Sequence, residues 1–84
     1  MRETTVAGEL FGQRVRDIRS KRGVTQQSIA ERADIPQTHL SDIERGFKLP
    51  NLLTVVRLAI ALDCKVADLT SVLDTADLPS LLPK

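Results

Sequence analysis

Residues 25–46 read TQQSIAERADIPQTHLSDIERG. Two short amphipathic stretches lie in this segment, a few residues apart. Thr25 is suited to cap the first, because its hydroxyl can accept a hydrogen bond from an open N–H of the first helical turn. The capping box is incomplete, since Ser28 stands where Glu or Gln would close it. Ile29, Ala30 and Ala33 supply the inner face of this helix. Asp34-Ile35-Pro36 ends it, because Asp tolerates a left-handed backbone and Pro36 suits the first turn of a following helix.

That following helix is predicted over about residues 36–45, with Gly46 as its stop. At about 100° per residue, Leu40 and Ile43 fall on one side. Gln37, Thr38, Ser41, Asp42 and Arg45 fall on the opposite side, with His39 and Glu44 on the flanks. Two short helices joined by about three residues, the second apolar behind and polar in front, describe a helix-turn-helix.

Outward from this motif almost everything reads as helix. No sustained alternation and no Asn-Gly or Asp-Gly pair marks a strand or hairpin. A first helix is predicted over about residues 9–22, with Leu10, Phe11, Val15 and Ile18 on one side and Gly23 as its stop. Asn51 caps a fourth helix to about residue 62, in which Leu52, Val55, Leu58, Ala59 and Leu62 can face a core. A short fifth helix covers about residues 66–73, and the tail DTADLPSLLPK, with two prolines, reads as irregular. The expectation is all-α: one domain over residues 1–84, a bundle of about five helices over 9–74, the motif at about 25–45 and a tail at 75–84.

A chain of 84 residues buries roughly 60% of its unfolded surface. With only Phe11 and Phe47 aromatic, its core must be aliphatic. It also lacks an aromatic platform on which unpaired bases could stack, which argues against single-stranded nucleic acid as the main target. The net charge of +1 hides an asymmetry: residues 14–48 carry +3 and each flank carries −1. A polyanionic partner fits that distribution. Cys64 is the single cysteine, so no intrachain disulfide forms and a reducing, cytoplasmic setting is expected. The opening MRETTVAGELFGQ is not a signal peptide, and LLTVVRLAIAL is too short to span a bilayer. His39 is the only histidine, so neither a histidine-based metal site nor a catalytic dyad can be assembled from it. No nucleophile–base–orienter set and no phosphate-cradling glycine loop is present; no enzyme and no cofactor is expected.

VTQQSIAERADIPQTHLSDIERGFKLPNLLTVVRLAIALDCKVADL, residues 24–69, resembles the Cro/cI-type helix-turn-helix family, also called the XRE family. The elements TQQSIAERA, LSDIERG and LAIALD carry the resemblance, which covers about residues 10–70. It implies a compact five-helix bundle that binds operator DNA as a dimer, with the third helix in the major groove. By position it implies base contacts from Gln37, Thr38 and Asp42, with Ser41 beside them. The chemistry fits: Gln pairs with adenine N6 and N7, the Thr methyl meets a thymine methyl, and Asp accepts from cytosine N4. The resemblance further implies phosphate contacts from Gln26, with Thr25 beside it at a helix N-terminus, and from Arg45 and Lys48. His39, on the flank, either touches phosphate or packs. Arg19 and Glu44 hold the places of a paired arginine and glutamate near the DNA, and Arg19 joins the phosphate set. The cluster RVRDIRSKR is either a further source of phosphate contacts or an ordinary solvated surface.

The chain departs from the family pattern in five places. Asp42 is unusual as a base reader, because a carboxylate near phosphates is repelled; it narrows specificity if it reads cytosine and weakens binding if it does not. Asp34 and Asp63 stand where the family has glycine, at a cost of about 1 kcal/mol each for a left-handed aspartate. Leu53 and Ile60 stand where the family is polar. With Cys64 they form a second apolar stripe that needs a cover. The tail, through Leu73, Leu78, Leu81 and Leu82, is one cover. A second subunit, docked on this stripe and on the fifth helix at Leu73, is the favoured one. The alternative function is a protein-interaction module, such as an antitoxin, that uses this stripe and the leucine-rich tail.

Overall fold

Thr5 opens the first helix, α1 (Val6–Lys21), by accepting a hydrogen bond from the Gly8 N–H at 3.0 Å. The computed structural model describes residues 2–74 and 77–83. Within them follow α2 (Gln26–Ala33), α3 (Gln37–Glu44), α4 (Leu52–Leu62), α5 (Val66–Asp74) and a 3₁₀ turn at Leu78–Leu81. No strand occurs among the described residues. The all-α bundle of five helices is as the sequence predicts.

Three details differ from the prediction. α1 starts at residue 6, not 9, because Thr5 is a true N-cap ahead of a turn with no strong apolar signal. Pro36 precedes α3 as an extended cap residue, where its missing N–H costs nothing. The tail is not wholly irregular: Pro79 sits in the first turn of the 3₁₀ segment, and Ser80 Oγ donates to the Asp77 carbonyl. Thr75, Ala76 and Lys84 of the predicted tail lie outside the described residues.

The first four helices end in the same way. At Gly23, Asp34, Gly46 and Asp63 the backbone turns left-handed, with φ of 68°, 56°, 84° and 53°. In each case the next N–H reaches back to the carbonyl five residues earlier: Val24 to Arg19, Ile35 to Ala30, Phe47 to Asp42 and Cys64 to Ala59. This is the Schellman arrangement, which satisfies carbonyls that the helix would otherwise leave open. The residue after each turn is apolar, and Val24, Ile35 and Cys64 all pack against the core.

The core is aliphatic apart from Phe11, as two aromatics in the chain require. Val15, Ile29, Leu40, Ile43, Leu58, Leu62 and Leu69 are fully buried, so every helix contributes to one cluster. α2 packs on α4, and α1 packs on both α3 and α5. The α1–α3 approach depends on Gly12, where an added Cβ would collide with the Ile43 carbonyl. Leu52, predicted to face the core, is instead 80% exposed. It is the first residue of α4, ahead of the turn that beds against α2.

Candidate nucleic-acid interface

α3 is held from behind. Leu40 and Ile43 have no solvent exposure, and Glu44 is the only buried charged residue among those described. Its side chain, 2% exposed, receives Arg19 on both oxygens: Nε donates to Oε2 at 2.7 Å and Nη2 to Oε1 at 3.0 Å. Gln26 Nε2 donates to the same Oε1 at 3.0 Å. Arg19 Nη1 donates to the Val24 carbonyl at 2.9 Å. One carboxylate at the end of α3 is thus tied to α1, to the α1–α2 turn and to the start of α2. Bidentate guanidinium–carboxylate pairing fixes direction as well as distance.

In front, Gln37 and Thr38 are exposed, while Ser41, Asp42 and His39 are half-buried. Gln37, Thr38, Ser41 and Asp42 follow one another on the front of α3, with His39 on its flank. Thr25 caps α2, accepting from the Ser28 N–H at 3.1 Å. Gln26, beside it, donates one of its two amide hydrogens to Glu44. Arg45 and Lys48 are exposed just past α3.

Two placements depart from the sequence expectation. The resemblance puts Arg19 among the phosphate contacts, but its guanidinium donates to Glu44 and Val24 and the side chain is only 16% exposed. It orients the helix ends and is not an open cation. The spacing puts Cys64 in an outer stripe, but it packs against the core as the residue following the α4 turn, and burial pushes its thiol up. Leu73 is half-buried. The outer apolar stripe is therefore Leu53, Val56 and Ile60, all exposed, with Leu52 at its start. The 3₁₀ turn lies against α1 and α5. It leaves Leu53 and Ile60 exposed, so the tail is not their cover.

The basic cluster of α1 divides by helical face. Arg14 Nε donates to the Asp68 carbonyl and Arg22 to the Asp63 carbonyl. With Lys21 they line a depression of about 370 Å³ against α5. Arg16 instead shares a groove with Arg45 and Phe47 beside α3.

One feature of this surface was not legible in the sequence. Arg2, in the extended stretch before α1, reaches across to α3. Its Nη2 meets Asp42 Oδ1 at 2.8 Å, and its guanidinium lies 4.2 Å from the centre of the Phe47 ring. Arg45 lies over the same ring at 4.8 Å. The Arg2 guanidinium holds the Asp42 carboxyl below the usual carboxylate range, with lesser help from Lys48 and Arg45. The only sequence signal was indirect: an acid on a face expected to meet phosphate needs a cation close by.

Known proteins share both the sequence pattern and this architecture. The helix-turn-helix family pattern matches residues 15–69. Control protein C.BamHI of Bacillus amyloliquefaciens is 41% identical over 61 residues, spanning 71% of this chain and 75% of that protein. The restriction-modification controller C.AhdI of Aeromonas hydrophila superposes with a TM-score of 0.72 at 31% identity, covering 74% of this chain and 94% of that one. The P22 c2 repressor, solved in complex with a synthetic operator, superposes with a TM-score of 0.67 at 28% identity, covering 71% and 91%. In sequence pattern and in helix arrangement alike, this chain belongs to the helix-turn-helix family.

Proposed function

We propose that this protein is a transcriptional regulator that binds double-stranded operator DNA, sequence-specifically and as a homodimer, in the cytoplasm. The observation that carries the reading is α3 itself: an apolar back with no exposure and a front of varied hydrogen-bonding groups. A helix fixed this firmly presents its donors and acceptors at defined positions, which groove readout requires. Gln37, Thr38, Ser41 and Asp42 face base edges. Thr25, Gln26, His39, Arg45 and Lys48 meet phosphates, joined by Arg16 from the groove beside α3. Arg19 serves by holding Glu44. The operator complex of the P22 c2 repressor supports the reading.

Homodimerisation is supported by the stripe of Leu53, Val56 and Ile60, exposed by 61%, 42% and 73%. An apolar strip this continuous on a small domain calls for a partner. A second copy is the favoured occupant because one α3 spans only a few base pairs, whereas two matched copies read two half-sites. The test is a titration of duplex DNA selected from a random pool. Affinity should fall by ~10³-fold or more between about 50 and 200 mM salt if about six phosphates are contacted. A flat salt response, or no enrichment of any duplex, overturns the reading. Co-purification of an unrelated chain on the α4 stripe would favour the protein-interaction reading instead.

A further inference from the structure

An acid on a surface that meets DNA poses an electrostatic problem. Asp42 is on the front of α3, and a bare carboxylate there is repelled by every nearby phosphate. Deleting the acid is the simple remedy. Instead the chain covers it: the Asp42 side chain is 19% exposed, and the group facing it is Arg2. Arg2 is not supported by Asp42 alone, because its guanidinium also lies over the Phe47 ring. Phe47 is itself fixed by its N–H, which donates to the Asp42 carbonyl at 2.9 Å. Arg45 completes the group over the same ring. A segment outside the helix-turn-helix is thus bound to the reading helix through two of its side-chain surroundings, an ion pair and a ring face.

We propose that Arg2 is a specificity-determining residue, which screens Asp42 from the phosphates and holds its carboxylate in place to accept from a base amine. The chemistry allows both roles at once. A carboxylate has two oxygens and about four lone-pair positions, and Arg2 approaches through Oδ1. The screened acid then discriminates in favour of a base that offers an amine in the major groove, cytosine through N4 or adenine through N6, without a repulsion that would weaken binding to every sequence. A guanidinium suits this position better than an ammonium, because its flat face stacks on the ring while its edge meets the carboxylate.

This inference rests on the DNA-binding reading, and the experiment separates the two. Operator affinity is measured at low salt for the natural chain, Arg2→Ala, Asp42→Asn and the double variant, on the selected duplex and on duplexes altered one base pair at a time. Arg2→Ala should weaken binding by about fivefold in the natural background and by less than about twofold when Asp42 is already Asn. It should also flatten the preference at the base pair that Asp42→Asn affects. Arg2→Lys should restore only part of either effect. Thermal unfolding of Arg2→Ala should match the natural chain, since Arg2 lies in an exposed stretch outside the core. Equal losses in both backgrounds would reduce Arg2 to a phosphate contact and overturn the inference, as would no loss in either. If the natural chain bound no duplex, the underlying reading would fail instead.

Discussion

Glu44 is nearly out of water, and a carboxylate there must keep its cation. Removing one member of such a pair costs far more than removing both, because the survivor stays buried and unmatched. Arg19→Ala should therefore destabilise the fold by about 2–4 kcal/mol and lower Tm by roughly 10 °C or more. Arg19→Met combined with Glu44→Leu should cost much less. Thermal unfolding of the three chains checks this, and equal loss in the single and double variants would contradict it. Gln37 carries a different kind of prediction, because it is exposed and supports nothing. Gln37→Ala should leave Tm unchanged and cost about 1–3 kcal/mol of discrimination at one base pair per half-site. A loss shared equally by all sequences would show that Gln37 is not a base reader. At this scale the sequence was informative where spacing on one helix decides the outcome: 37, 38, 41 and 42 share a face because they are helical neighbours. It was silent on Arg2 and Asp42, whose 40-residue separation is closed only by the packing of α1 on α3.

The helices are punctuated by four left-handed turns, two with glycine and two with aspartate. The residues that follow are apolar: Val24, Ile35 and Cys64 pack on the core, while Phe47 lies under the Arg2 and Arg45 guanidiniums. This explains the lone cysteine without any chemistry: it closes the end of α4 by packing. The strain at aspartate is measurable. Asp63→Gly should stabilise the chain by up to about 1 kcal/mol, whereas Gly23→Ala should destabilise it by about 1–2 kcal/mol. Nothing lies within 4 Å of a Cβ at Gly23, so the second cost is that of the backbone alone. Denaturant titration checks both signs; a Gly23→Ala chain as stable as the natural one would contradict the account. The helix stops were legible, since glycine and aspartate mark them. The early start of α1 was less so, because Thr5 gives a cap signal before the apolar periodicity begins. The outward position of Leu52 was illegible, since periodicity alone assigns it to the inner face.

At the scale of the molecule, one tie connects the parts: Glu44 joins α1, the start of α2 and the end of α3, so α3 cannot tilt without breaking it. The same body carries the apolar stripe of α4, where two copies are proposed to meet. Ile60→Asp should shift the protein to a monomer in sedimentation, and should weaken operator binding without lowering Tm below that of the dissociated natural chain. A sedimenting species unchanged from the natural one would place the dimer contact elsewhere. The most direct measurement of the whole account is hydroxyl-radical protection of the selected duplex. Two protected patches should appear on one face of the DNA, about one helical turn or roughly 34 Å apart, flanking bases whose change weakens binding. Uniform protection of any duplex, or a single patch confined to the minor groove, would contradict it.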